Sequence, residues 1–228
     1  MKTARQITLD LLIRMDTQGA YSNIILDHAF TSSDVDKRDK AFSAALFYGV
    51  LERRMTLDYL IRYYSGIEFD KIKTAEILRM GFYQLLFMNS VPDSAAVNES
   101  VELCEYCRCT RAKGYVNAIL RSFLRNEKQI DYGNLKDEAK LSIEYSCPKW
   151  LIKKWKNELG EQRAMQMIHS GFGRPPMYAR VNTVRYSVDD VISELAKDGI
   201  TAVKNMLIEN CIELSATKGI EQSAAHKK

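Results

Sequence analysis

The strongest constraint on this chain is a series of apolar residues at helical spacing, broken only by short polar or glycine-containing stretches, from Thr3 to about Arg125. Thr3 can cap a first helix with Ala4, Ile7, Leu11 and Met15 on one face, ended by Gly19. Ser22 starts a short helix to Phe30, and Thr31 to Asp34 reads as a loop. Phe42, Ala45, Leu46, Gly49 and Val50 form the next stripe. Thr56 is placed to cap a helix carrying Leu57, Leu60, Ile61 and Tyr64, stopped by Gly66. A longer helix from about Asp70 carries Ala75, Leu78, Phe82 and Leu85. Pro92 and Asp93 open another with Val97, Val101 and Cys104, and the last, from about Arg111, carries Val116, Ile119, Leu120 and Phe123. Short connections force such helices to pack on each other, so residues 1–128 are expected to form one helical bundle.

The pattern then changes. Residues 129–144 are polar, contain Gly133 and read as a linker. Pro148 suits a helix start, after which Leu151, Trp155 and Leu159 share a face until Gly160. A second helix with Ala164, Met167 and Ile168 ends near Gly171, and Gly173 to Pro176 is a stiff turn. Met177 to Asn182 alternates as a strand, with Met177, Ala179 and Val181 opposite Tyr178, Arg180 and Asn182. Ser187 opens a helix with Val191, Ile192 and Leu195, stopped by Gly199. Strands are expected near 201–203, 206–208 and 212–214. The fold class is therefore mainly α, with a small α+β domain over 145–228.

Composition bounds function only loosely. The 33 basic and 29 acidic side chains give a net charge of +4, a weak pointer to nucleic acid. No stretch has the length of a membrane span or the form of a signal peptide, so a cytoplasmic location is expected. Five cysteines without a secretory signal suggest free thiols. Cys104, Cys107 and Cys109 lack a second ligand pair, and His28, His169 and His226 are scattered, so no metal site is expected.

Charge clustering says more than the total. Arg108, Arg111 and Lys113 lead into a helix N-terminus, a place that suits phosphate, and Arg121 and Arg125 lie one turn apart on that helix. The bland alternative is a solvated helix face. Lys149, Lys153, Lys154 and Lys156 are interleaved with Trp150 and Trp155, a pattern fit for a stacked base over a neutralised backbone, although Trp155 lies on the apolar stripe. Arg174 follows, and Tyr178, Arg180 and Asn182 offer a strand face with the same logic, or one locked by an internal ion pair. No phosphate loop, nucleophile elbow or zinc-protease motif is present, and Gly171-Phe172-Gly173 lacks the third glycine of a dinucleotide fingerprint. No catalytic residue is assigned.

Several segments together carry a family resemblance. They are Asp39-Lys40-Ala41 through Tyr48-Gly49-Val50-Leu51, Leu57-Asp58, Ile77 through Leu86, Pro92 through Val101, and Val116-Asn117-Ala118-Ile119-Leu120-Arg121. These resemble the NusB-like RNA-binding fold. Tyr145 through Leu151 and Arg174 through Asn182 look like the segment before the catalytic domain in RsmB/Sun-type small-subunit ribosomal-RNA cytosine-5 methyltransferases, although Cys147 stands where a His is often found. The resemblance implies small-subunit ribosomal RNA as partner and S-adenosylmethionine as cofactor of the full-length protein. It also implies a catalytic domain, absent here, in which one cysteine attacks C6 of cytosine and a second helps release the adduct. None of the five cysteines here matches those roles, so this chain alone is expected to bind no cofactor and transfer no methyl group. The sequence stops about where the family runs on, which reads as a truncation. One rival reading is a free-standing antitermination factor that binds RNA with a ribosomal protein; another is a structural domain with no nucleic-acid surface.

Overall fold

The computed structural model describes residues 2–19, 21–31, 35–66, 72–171, 176–215, 220 and 223–227. The chain divides into two compact units, Met1–Gly171 and Phe172–Lys228.

The first unit is helical: α1 (Ala4–Gln18), α2 (Ser22–Thr31), α3 (Lys37–Glu52), α4 (Arg54–Ser65), α5 (Ile72–Phe87), α6 (Asp93–Tyr106), α7 (Lys113–Arg125), α8 (Asp137–Glu144), α9 (Lys149–Leu159) and α10 (Glu161–Ser170). The expected start near Asp70 lies outside the described residues. α1 opens with a reciprocal cap: the Gln6 N–H donates to Thr3 Oγ1 (3.3 Å) and the Thr3 N–H to Gln6 Oε1 (3.0 Å). Gly19 closes it in the left-handed conformation.

α5 is the centre of this unit and packs against α1, α3, α4, α6 and α7. Because neighbours surround it, Ile77, Leu78, Met80 and Phe82 are all fully buried rather than forming a single stripe. Phe82 meets Phe123 of α7 edge to face at 5.2 Å, and Tyr64 of α4 meets Phe123 at 5.7 Å. Close approach is reserved for glycine. A Cβ on Gly81 would sit 2.7 Å from a methyl carbon of Leu120 and 3.0 Å from Ser100 Oγ.

Buried charge ties the same helices. Glu76 on α5 has no exposed surface; its Oε1 accepts from Arg79 and lies 3.6 Å from Arg54. Arg54 also grips both oxygens of Asp16 (2.7 and 2.6 Å), and Arg79 Nε donates to Asp58 (2.6 Å). Burial pushes the Glu76 carboxyl up to about 7; the two guanidiniums pull it down without cancelling desolvation and the Asp16 carboxylate beside it. Burial also works to raise Asp16, but its bonds to Arg54 and Glu76 leave it below the usual range.

Two sequence expectations change here. Thr56 does not cap α4, which begins at Arg54; its hydroxyl instead donates to the Ile143 carbonyl of α8. The amides of Met55 and Thr56 donate to Ser146 Oγ (2.9 and 3.2 Å), so α4 is capped from a distant part of the chain. The stretch read as a linker, 129–144, contains α8, which packs on α4 and buries Ala139, Ser142 and Ile143. α8 in turn packs on α9, and α9 on α10, so these helices belong to the first unit. On α9 the fully buried residue is Ile152, whereas Leu159 is exposed.

The second unit contains β1 (Met177–Arg180), α11 (Val188–Lys197), β2 (Ala202–Lys204), β3 (Cys211–Leu214) and the single turn α12 (Ala224–Lys227). Its antiparallel sheet has the order β1-β3-β2, with Tyr178 and Val203 both opposite Glu213. Val181, Leu195, Ile200, Ala202, Ile212 and Leu214 make its core. The strand expected at 206–208 is a turn: Asn205 Oδ1 accepts from the amides of Leu207 (2.9 Å) and Ile208 (3.0 Å), leaving both side chains outside.

Two outcomes follow from the centre of the first unit. Gly81→Ala is expected to cost about 1–3 kcal/mol, because buried Leu120 and Ser100 have no room to yield; urea unfolding should show a lower midpoint at unchanged slope. Glu76 binds its proton more tightly folded than unfolded, so its contribution is full below about pH 4.5 and fades as pH rises through about 7. Glu76→Gln is therefore expected to remove a loss of up to about 3 kcal/mol over that window, read from denaturation midpoints at a series of pH values.

Candidate nucleic-acid interface

The interface begins with how α6 ends. Arg108 adopts φ +59°, the left-handed region that glycine usually fills. The Arg108 N–H donates to the Glu105 carbonyl (3.0 Å) and the Cys109 N–H to the Cys104 carbonyl (2.8 Å), which is the bonding pattern of a Schellman stop. A 3₁₀ turn over Thr110–Ala112 then leads into α7. Arg108 and Arg111 are exposed on this connection.

α7 is amphipathic. Val116, Ile119, Leu120 and Phe123 are buried, and Gly114, Ala118, Arg121 and Arg125 form an exposed row at helical spacing. Arg121 Nε donates to Asn117 Oδ1 (2.8 Å), which orients its guanidinium along the helix. Lys113 differs from its neighbours because it bonds Glu105, whose carboxylate holds the ammonium pKa up. Part of its charge is therefore spent inside the protein.

α9 presents Lys149, Trp150, Lys153 and Lys154 outward, with Trp150 67% exposed. Lys149 and Lys153 lie one turn apart, as do Trp150 and Lys154. Trp155 is half-buried, and Lys156 is paired with Glu161 at 2.8 Å. The basic cluster thus reduces to three lysines and one indole.

In the second unit, Tyr178 and Arg180 stand exposed on one sheet face. Asn182 follows β1, and its Oδ1 accepts from the Val184 N–H (3.3 Å), so its acceptor serves the turn. Arg174 lies outside the described residues.

Some of the described cations are paired and others are not. Lys2, Arg5, Arg54, Arg79, Lys113, Lys128, Lys156, Lys197 and Lys204 hold carboxylates within 4.0 Å. Among the described residues no carboxylate partner is recorded for Arg108, Arg111, Arg121, Arg125, Lys149, Lys153, Lys154 or Arg180. Uncompensated positive charge is what a polyanion binds.

The cysteines have another character. Cys104 and Cys107 are buried, and Cys107 Sγ lies 3.0 Å from Cys109 Sγ. Burial, with the neighbouring sulfurs, pushes the Cys104 and Cys107 thiols up to about 12. Burial likewise raises Cys147. Such groups are protonated at neutral pH and poor nucleophiles. The sheet of the second unit is antiparallel, whereas nucleotide-type cofactors of doubly wound folds lie at the carboxyl ends of parallel strands.

Sequence periodicity missed one surface feature. Tyr63, Tyr64, Ser122, Arg125 and Asn126 line a shallow depression where the ends of α4 and α7 meet. Tyr63 and Tyr64 were legible only as part of a helix; the fold is needed to bring them beside Arg125.

Comparison with known proteins places the domain boundary earlier than the two compact units do, before α9 rather than after α10. The NusB family model matches residues 2–125. A second model, the ferredoxin-like domain of RsmF/B-like methyltransferases, matches residues 147–221 and so includes α9 and α10. A probable ribosomal RNA small subunit methyltransferase B of Bacillus subtilis is 28% identical over 93% of this chain and 48% of its own length. A ribosomal RNA small subunit methyltransferase B of Klebsiella pneumoniae is 32% identical over 73% of this chain and 38% of its own. The chain thus spans about half the length, or less, of the curated relatives it matches. Among solved structures, PH0851 superposes with a TM-score of 0.65 at 19% identity, covering 99% of this chain and 52% of that one. NusB from a complex of antitermination factors NusB and NusE with double-stranded RNA superposes at 0.50 and 18% identity, covering 54% of this chain and 94% of that one. No helix among the described residues is long and apolar enough to cross a membrane. Through its first 125 residues the chain belongs to the NusB family, and it continues into an RsmF/B-like ferredoxin-like domain.

Proposed function

We propose that this chain binds small-subunit ribosomal RNA and orients it for S-adenosylmethionine-dependent cytosine-5 methylation. The chemistry would be performed by polypeptide that the longer relatives carry outside the matched half. The observation that carries this reading is the set of exposed cations on the α6–α7 connection, α7 and α9 that lack carboxylate partners among the described residues. Other unpaired cations occur elsewhere among the described residues, Arg14, Lys37 and Arg62 for example, but this set is gathered on one connection and two helices, where it stands open to phosphate. Tyr178, Arg180 and Asn182 are a further proposed contact within the second unit, with Arg174 before them in sequence.

Binding of this kind is dominated by counterion release, so affinity for a small-subunit rRNA hairpin should fall linearly on a log–log plot against salt. Replacing Arg108, Arg111, Arg121 and Arg125 together by Gln is expected to weaken binding at low salt by at least about tenfold and to make the salt slope shallower by about 3. Filter binding across a salt series reads both quantities. An unchanged slope, or no binding of the parent chain at low salt, would overturn the proposal.

Arg108 gives a second test, because its backbone favours glycine while its side chain serves binding. Arg108→Gly is expected to raise stability by up to about 1 kcal/mol and to lower RNA affinity in the same protein. A purely structural Arg108 would leave affinity untouched.

A further inference from the structure

The depression at the ends of α4 and α7 is built for more than charge. Tyr63 is 46% exposed, yet its hydroxyl is fixed by donation to Asp131 Oδ2 (2.8 Å). Its ring lies 6.2 Å from Tyr59, which itself stacks on Tyr132 at 6.3 Å. Tyr64 meets the Tyr63 ring edge-on at 5.1 Å and is locked from below by Phe82 and Phe123. An exposed aromatic held this firmly loses little rotamer freedom when something stacks on it.

Polar groups surround the ring. Asn126 caps the end of α7, and its Nδ2 donates to Tyr64 Oη (3.1 Å) and to the Gln129 carbonyl (3.4 Å). Among the described residues its Oδ1 accepts no hydrogen bond, and the side chain is exposed. Arg125 supplies a guanidinium with no recorded carboxylate partner among the described residues, and Arg121 stands one turn back along α7. Asp131 is the nearby acidic group, and it is occupied by Tyr63 and by the Gly133 N–H (2.8 Å).

From this juxtaposition we infer that Tyr63, Arg125 and Asn126 form a subsite for one unpaired nucleotide, with the base stacked on Tyr63 and its phosphate on Arg125. The inference rests on the RNA-binding reading and sharpens it. Helix-face cations alone track a backbone, paired or not, whereas an aromatic platform requires an unstacked base. The shallow, open shape suits a base of any identity, since every base offers a π-face and only Asn126 addresses its edge.

Photo-cross-linking with a short oligouridylate carrying a single 5-iodouridine tests this directly, with a blunt-ended RNA duplex titrated in parallel. The cross-link is expected on Tyr63 when the adduct is mapped by mass spectrometry. Tyr63→Leu should lose it and weaken the oligouridylate by about tenfold or more while leaving the duplex unchanged. Tyr63→Phe, which keeps the ring, should retain binding and controls for folding. A cross-link mapped elsewhere, or Tyr63→Leu without effect, overturns the subsite. If Tyr63→Leu is silent while Gln at Arg121 and Arg125 weakens both RNAs, the subsite falls and the electrostatic reading stands; if neither RNA binds at low salt, both fall.

Discussion

Glu76 has no exposed surface, and the guanidiniums of Arg54 and Arg79 converge on it while also holding Asp16 and Asp58. Removing one member of such a buried set leaves the others charged and unsolvated, which costs several times more than losing a surface ion pair. The cluster therefore fixes how α1, α4 and α5 stand to one another. Arg54 and Arg79 are engaged inside, whereas Arg108, Arg111, Arg121 and Arg125 stand outside without carboxylate partners among the described residues.

α7 links that interior to the proposed binding surface. Its inner face is held by Phe123 against Phe82 and Tyr64, and by Leu120 against Gly81. The backbone that carries its outer row, Gly114, Ala118, Arg121 and Arg125, is consequently held in place. Cations anchored on a packed helix pay less entropy on meeting phosphate than cations on a mobile loop. The two small residues keep the N-terminal half of the row low, so a backbone can approach it closely.

Much of the helical unit was legible because burial on one face writes a helical period into the sequence. Ala4, Ile7 and Leu11 of α1 and Val116, Ile119, Leu120 and Phe123 of α7 follow it directly. α5 was legible as a helix but not as the centre, since being surrounded erases the stripe. Helix ends were harder wherever a non-glycine takes the left-handed position, as Arg108, Glu127 and Ser146 do. Ser146 shows why: it ends α8 and caps α4, so its role depends on a tertiary contact with Met55 and Thr56. Thr56 looked like a cap for the same reason, its hydroxyl being committed to α8. The apolar run Met206–Ile208 mimicked a strand, but Asn205 draws its amides into a turn. In the proposed interface, sequence identified the cations, yet it could not show that Lys113 has a carboxylate partner or that Arg125 stands beside Tyr63.

The measurement that most directly tests the central claim is site-resolved lysine acylation of the folded chain with and without small-subunit ribosomal RNA. Lys149, Lys153 and Lys154 should lose reactivity when RNA binds, while Lys2, Lys197 and Lys204, already engaged with carboxylates, should change little. Protection spread evenly over paired and unpaired lysines, or confined to the paired ones, would contradict the account.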